Sequence, residues 1–166
     1  MTAVFISLGS NIDSEQNLSK AIQALAARCR LLNVSPVYET APVGNVDQPR
    51  FLNAAALIET ELDAATLKTE VLLDIENTLG RVRTADKNAP RVIDLDISLY
   101  ADQVLHAGSR HIPDPDIMQF AHVAVPLADL SPSFIHPENG DTLQVIARRL
   151  PRHGLIHRPD LSLWPQ

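Results

Sequence analysis

Apolar positions along this chain repeat with two different periods, and the switches between them mark its elements. Val4 to Leu8 is an almost unbroken apolar run that ends at Gly9-Ser10-Asn11. That pattern predicts a buried strand stopped by a turn. Leu18, Ala21, Ile22, Leu25 and Cys29 then fall at i, i+3, i+4, i+7 and i+11, one face of a helix over 14–29. Asp13 with Gln16 three residues later predicts a capping box at its start. Cys29 lies on the apolar face and reads as core. Leu31 to Glu39 is strand-like, with Pro36 marking an edge or a bulge. Thr40 to Arg50 is a Gly-, Pro-, Asn- and Asp-bearing loop, and Phe51 to Glu61 is a third strand, in which Phe51 and Asn53 share a face.

The period then changes again. Asp63 caps a second helix, on which Leu67, Val71, Ile75 and Leu79 recur at i+4 steps and Gly80 is the C′ residue. Arg81 to Pro90 is polar apart from Val82 and two alanines, and it reads as a mobile lid. Ile93, Leu95, Ile97 and Leu99 alternate strictly with Asp94, Asp96, Ser98 and Tyr100, the mark of a half-buried strand over 92–100. Beyond it come a turn and short strand near Asp102–Leu105, turns with Asp116 as an N-cap, and an apolar run over 121–130 that Pro126 interrupts. A last helix starts at Asp141 or Thr142 and ends near Leu150. The order β-α-β-β-α-β predicts a ferredoxin-like α/β (α+β) fold with a mainly antiparallel sheet. Residues 1–150 are expected as one domain and 151–166 as a tail on the body or partly disordered, with Trp164 at the surface.

The last strand carries the candidate chemistry. Alternate residues of a strand point the same way, so Asp94 and Asp96 lie on one face about 6–7 Å apart. Carboxylates so spaced hold hard cations through oxygen. Arg81, Arg83 and Arg91 flank them in the preceding loop, and arginines grip phosphates, often through two nitrogens. Metal and phosphate binding together point to a nucleoside triphosphate. Taken singly, a D-x-D and an R-x-R are also ordinary solvated charge. Phe51 beside Asn53 suits a flat heterocycle, the ring stacking and the amide matching its donors and acceptors.

Composition narrows the classes. The chain has 166 residues, 45% apolar and 20% charged, so it is long enough for one core and is not a disordered sequence. Fourteen basic against twenty acidic residues give a net charge of −6, which argues against nonspecific nucleic-acid binding. One cysteine excludes an internal disulfide. No apolar run reaches the length of a membrane span, and no signal segment follows Met1. A cytoplasmic monomer acting on small molecules, without nucleic acid or membrane partners, is the expectation. Of the six histidines, His106, His136, His153 and His157 read as surface residues.

Gly80-Arg-Val-Arg83 followed by Ala89-Pro-Arg-Val-Ile-Asp-Leu-Asp-Ile97 resembles the signature of the 6-hydroxymethyl-7,8-dihydropterin pyrophosphokinases. Gly9-Ser10-Asn11, Tyr38-Glu-Thr-Ala-Pro-Val-Gly44 and Phe51-Leu-Asn-Ala-Ala55 resemble the same family in order and spacing. The resemblance implies a three-layer α/β/α variant of the ferredoxin-like fold. It also implies pyrophosphoryl transfer from ATP to the pterin hydroxyl in folate biosynthesis, with AMP leaving. By that resemblance Asp94 and Asp96 hold two Mg²⁺ ions, Arg81 and Arg83 are catalytic, and Asp94 also meets the pterin. Glu76, Arg81, Arg83, Arg91, Ile97, Arg110 and Asp114 contact or orient the nucleotide. Thr40, Pro42, Val43 and Asn53 read the pterin edge, and Phe51 and His122 sandwich its ring.

The chain also departs from the family pattern. Asn88 replaces a lid tryptophan, Pro113-Asp114-Pro115 replaces a P-H-P-like stretch, Phe120 stands at an arginine position, and His122 at an aromatic one. Arg110 or His111 is placed to compensate on the nucleotide side. These changes keep two alternatives open: a noncatalytic pterin- or nucleotide-binding module, and a pyrophosphokinase for a related pterin.

Overall fold

The structure, a computed structural model, describes residues 1–44 and 46–166. Asn45, inside the loop expected over Thr40–Arg50, lies outside the described residues. The elements follow in the expected order: β1 (Thr2–Ser10), α1 (Ser14–Arg28), β2 (Arg30–Val34), β3 (Tyr38–Thr40) and β4 (Phe51–Thr60). Then come α2 (Ala64–Thr66), a π-helical stretch Leu67–Leu72, α3 (Leu73–Thr78) and β5 (Asp94–Tyr100). A hairpin of β6 (Leu105–Ala107) and β7 (Arg110–Ile112), a 3₁₀ turn Pro115–Met118, α4 (Ala121–Leu130), α5 (Leu143–Arg149) and β8 (Ile156–His157) complete the chain.

Among the described residues one antiparallel sheet runs β5-β1-β4-β3-β8, with β2 also on β4. Alternating residues of each strand feed two cores. Val4, Ile6, Leu8, Ala54, Ile58 and Leu95 pack against α1, α2 and α3. Phe5, Ala55 and Leu99 pack against α4 and α5. The result is the three-layer α/β/α arrangement, with the ferredoxin-like β-α-β-β-α-β core at its centre. No helix among the described residues is long and apolar enough to cross a membrane.

Several local expectations are corrected. Asp13 sits at the N-cap position of α1 in a left-handed conformation, and its side chain makes no capping bond. Asn17 closes that end instead, donating to the Ile12 carbonyl. The strand expected over 31–39 is two strands, because Pro36 has no N–H to offer β4. Ser35 holds the break, its N–H donating to Ala55 O and its Oγ accepting the Ala55 N–H, both at 2.8 Å. The second helix contains a π-helical stretch where a plain α-helix was expected. On a regular α-helix a strict i+4 row drifts by about 40° per step, and the wider turn keeps Leu67, Val71 and Ile75 buried together.

Strict alternation in β5 also fails. The pairing with β1 shifts between Phe5 and Ile6, so that Leu99 faces Phe5 and Ile97 faces Ile6. Ser98 is the extra residue of this bulge, and past it the parity of the strand reverses. Leu99 therefore joins the α4–α5 core, and Tyr100 the opposite one. Pro126 does not break the 121–130 run, which is a single ten-residue helix with Pro126 inside. Asp114, not Asp116, caps the 3₁₀ turn, while Thr142 caps α5 as one of the two expected candidates. His136 is buried rather than superficial, its Nδ1 accepting the Glu138 N–H. Residues 151–166 dock on the body: β8 pairs with β3, the Arg158 N–H donates to Val37 O, and Leu163 is buried while Trp164 stays half exposed.

Candidate active site

One rung of the sheet sets the geometry. Asp94 on β5 pairs with Gly9 on β1, Gly9 with Asn53 on β4, and Asn53 with Tyr38 on β3. Antiparallel partners point to the same face, so Asp94 and Asn53 flank a floor on which Gly9 places no side chain. A Cβ at Gly9 would stand 3.7 Å from Asn53 Oδ1, above that floor. Neighbouring strands lie about 4.8 Å apart, so Asp94 and Asn53 are about 10 Å apart across two spacings. The cleft over Gly9 is walled by Phe51, Thr40, Val43, Phe120 and His122. Asn53 Nδ2 donates to Thr40 Oγ1 at 3.0 Å and to Tyr38 O at 3.3 Å, which fixes the amide.

Phe120 lies against His122, ring centroids 5.2 Å apart. Among the described residues no hydrogen bond holds the His122 ring. Burial pushes its pKa down, partly opposed by Asp116. Val43, 58% exposed, presents an apolar side chain at the mouth of the cleft.

The carboxylates meet a dense set of cations. Asp94 Oδ1 accepts from Arg81 at 2.7 Å and Oδ2 from Arg91 at 2.8 Å. Burial works to raise the Asp94 carboxyl, but the two guanidinium groups outweigh it and hold the group below the usual carboxylate range. Asp96 Oδ1 accepts from Lys68 at 3.1 Å and lies 3.3 Å from Arg110. Asp96 Oδ2 makes no hydrogen bond among the described residues. Arg110 also reaches Asp114 at 3.1 Å. Arg81, Arg83, Arg91, Arg110 and Lys87 surround a second cleft, which meets the first at Arg91.

Four of the expected ligand contacts lie off the linings of both clefts. Glu76, 1% exposed, lines neither cleft. Its Oε1 accepts the Leu95 N–H at 2.8 Å, and its carboxylate pairs with Arg81 at 3.0 Å and Arg83 at 2.9 Å. Leu95 belongs to the outermost strand, and its outward N–H and C=O would otherwise be bare edge groups. Asp114 is a buried cap, accepting the Asp116 N–H at 2.9 Å, and burial pushes its pKa up. Ile97 is buried beside a small recess shared with Lys68, Asp96 and Arg110. Pro42 is absent from the cleft wall.

Lys68 is the residue that sequence reading passed over, since a lone lysine on an amphipathic helix carries no signal. Asn11 is a second such residue, read as part of a turn and of the Gly9-Ser10-Asn11 motif but given no role of its own. Its Oδ1 accepts the Arg91 N–H at 2.7 Å, its own N–H donates to Arg91 O, and its Nδ2 donates to Gln48 Oε1 and Pro49 O. Gln48 in turn donates to Asn88 O at 2.7 Å. The loop expected to be a mobile lid is thus tied to the 41–50 loop through Asn11 and Gln48.

Among the described residues no three His, Cys, Asp or Glu side chains are placed to hold a metal together. Two carboxylates on one strand face do fit Mg²⁺, which takes one or two carboxylates and completes its shell with substrate phosphates and water.

Comparison with known proteins gives one consistent answer. The family model for 7,8-dihydro-6-hydroxymethylpterin-pyrophosphokinase matches residues 5–132. The chain is 35% identical over 155 residues to the folic acid synthesis protein of Dictyostelium discoideum, covering 93% of this chain and 23% of that protein. It therefore spans under a quarter of the length of that relative, and 21% of the corresponding Pneumocystis carinii protein. A 2-amino-4-hydroxy-6-hydroxymethyldihydropteridine pyrophosphokinase of Methylorubrum extorquens is 38% identical over 158 residues, 93% of this chain and 98% of that one. The solved Plasmodium falciparum HPPK-DHPS with pteroate superposes with a TM-score of 0.71 at 14% identity, over 89% of this chain and 42% of that one, a likeness of fold. With the family model covering most of its length and a relative of its own size at this identity, the chain belongs to the 7,8-dihydro-6-hydroxymethylpterin-pyrophosphokinase family.

Proposed function

We propose that this chain transfers pyrophosphate from ATP to the hydroxymethyl group of 6-hydroxymethyl-7,8-dihydropterin, giving AMP and the pterin diphosphate, a step of folate biosynthesis. The observation that carries the reading is the rung Asp94–Gly9–Asn53. It places an amide that matches a heterocycle's edge about 10 Å from a carboxylate among phosphate-binding cations, a span that a two-ring pterin with a one-carbon arm bridges. In this reading Asn53 and backbone groups of Thr40 and Val43 hold the pterin edge. Phe51 and His122 take its faces, with Phe120 supporting His122. The hydroxymethyl arm then points toward Asp94.

Arg81, Arg83, Arg91 and Arg110 exchange carboxylate partners for phosphate oxygens when the nucleotide enters. That exchange neutralises the triphosphate and holds it in line with the hydroxyl. Asp94 and Asp96 would hold two Mg²⁺ ions, which would supply charge screening of the phosphates and polarisation of the β-phosphorus. The hydroxyl oxygen bonds to the β-phosphorus and gives its proton to solvent. The bond from that phosphorus to the α–β bridging oxygen breaks, and its electron pair leaves with AMP. Glu76, Asp114 and Ile97 serve the site from behind, by fixing β5 and the 3₁₀ turn. Residues 1–150 form the catalytic domain, with 151–166 as the tail.

Incubation with ATP, Mg²⁺ and the hydroxymethyl dihydropterin, followed by identification of the nucleotide product, tests the reading. AMP formed in step with pterin diphosphate is expected. Pterin-dependent ADP would make the chain an ordinary kinase. Binding of both ligands without turnover would leave a noncatalytic module, and turnover only on another pterin would shift the substrate.

A further inference from the structure

Lys68 has a place that neither the motif nor the proposed reaction accounts for. It comes from the π-helical stretch of the helical layer, on the far side of the sheet from the clefts. Its side chain passes around the outer edge of β5. There Nζ donates to Leu95 O at 2.6 Å and to Asp96 Oδ1 at 3.1 Å. Lys68 and Asp96 are both sheltered, with side chains 18% and 21% exposed. Glu76, two turns further along the helix, takes the N–H of the same Leu95.

The two carboxylates are consequently not equivalent. Both oxygens of Asp94 are occupied by arginines from the Gly80–Arg91 segment. That segment is loop, so these cations can turn toward incoming phosphate. Asp96 has one oxygen held, by Lys68 with Arg110 alongside, and Oδ2 left open. Lys68 is fixed by its second bond to a backbone carbonyl and approaches from behind the strand. Its anchorage is separate from the loop that carries Arg81, Arg83 and Arg91.

We propose that Lys68 is a positioning residue that governs cation entry at Asp96. It occupies Oδ1, leaves Oδ2 open, and places a positive charge beside it. A bare divalent cation then meets a half-neutralised carboxylate, and the nucleotide's phosphates are needed to bring the cation in. The inference rests on Asp96 being a metal ligand. Its sign follows from magnitudes. Loss of Lys68 removes one unit charge that repels a doubly charged ion a few Å away, an effect of about tenfold to tens-fold even at the dielectric of bulk water. The loosened carboxylate rotamer acts the other way and is smaller.

The test is a titration of Mn²⁺ alone, followed by its electron paramagnetic resonance signal, against wild type, Lys68→Met and Lys68→Arg, without nucleotide. Lys68→Met keeps the apolar stem, and Lys68→Gln serves if it does not fold. Expected is weak binding to wild type, binding on the order of tenfold tighter to Lys68→Met, and a return to the wild-type value in Lys68→Arg. Unchanged or weaker Mn²⁺ binding by a folded Lys68→Met overturns the proposal, as does Lys68→Arg behaving like Lys68→Met. A parallel titration with a nonhydrolysable ATP analogue, comparing wild type with Asp96→Asn, separates the two ideas. If Asp96→Asn takes up Mn²⁺ with the analogue as well as wild type does, Asp96 is no ligand and both readings fall. If it does not, and Lys68→Met matches wild type, only the role of Lys68 falls.

Discussion

Replacement of Glu76 by Ala is predicted to destabilise the fold far more than loss of an ordinary surface carboxylate. The side chain is 1% exposed and serves three donors: Leu95 N–H, Arg81 and Arg83. Deletion strands the Leu95 N–H at the sheet edge, for about 1–3 kcal/mol. It also removes one partner of a sheltered ion pair, for which about 3–5 kcal/mol is usual. The low end applies here, because Arg81 keeps Asp94 at 2.7 Å. Arg83, 59% exposed, adds under about 1 kcal/mol. A loss of about 4 kcal/mol follows, a large part of the 5–15 kcal/mol typical of a domain. At about 2–4 °C per kcal/mol for a chain of this size, the melting temperature falls by roughly 8–16 °C. Glu76→Gln keeps an oxygen for the Leu95 N–H and loses only charge, so about 1–2 kcal/mol is expected. Calorimetry and urea unfolding of both variants provide the measurement. Glu76→Ala melting within about 2 °C of wild type would refute the edge-sealing account, and so would a Gln variant as damaged as the Ala one.

Four further outcomes are expected. Asp96→Ala abolishes Mg²⁺-dependent AMP formation while unfolding within about 1 kcal/mol of wild type, since no core cavity is made; a collapse of several kcal/mol would mark Asp96 as structural instead. Gly9→Ala folds normally, its Cβ meeting only ordinary contact at 3.7 Å from Asn53, but weakens pterin binding at least several-fold by raising the floor; unchanged affinity by calorimetric titration would move the pterin elsewhere. His122→Ala weakens pterin binding by about 0.5–1.5 kcal/mol and His122→Phe keeps or improves it, whereas a Phe variant that melts much lower would identify a hydrogen-bonded structural histidine. Burial lowers the pKa of His122 and of His136, so the unfolded chain binds those protons more readily; stability is full above about pH 6.5 and is lost as pH falls through the folded values. A melting temperature that stays level or rises from pH 7 to 5 would contradict this.

What the sequence made legible was whatever depends on period and turn chemistry. The β-α-β-β-α-β order, the shared face of Phe51 with Asn53 and of Asp94 with Asp96, and the glycine after the second helix all follow from local rules. The misses share a different cause. The Ser98 bulge, the intact helix through Pro126 and the burial of His136 are set by what packs across the sheet, and tertiary contact overrides local preference there. Glu76 is the instructive case. Its pairing with Arg81 and Arg83 was readable from proximity in the chain, but its hold on Leu95 needs the helix laid beside β5, and no spacing encodes that. Lys68 was missed for the same reason. Its partners are 27 and 28 residues away.

The bridge formed by Asn11 and Gln48 joins the walls of the two clefts. The Asn11 side chain accepts the Arg91 N–H while its own backbone N–H donates to the Arg91 carbonyl, and through Gln48 and Pro49 its amide grips the loop that ends at Phe51. Whatever reshapes the phosphate-binding wall therefore pulls on the ring-binding one. Thermodynamic linkage makes that traffic symmetric. If a bound nucleotide tightens the hold on the pterin by some factor, the pterin must tighten the hold on the nucleotide by the same factor. A single asparagine at the end of β1 thus ties two affinities into one quantity.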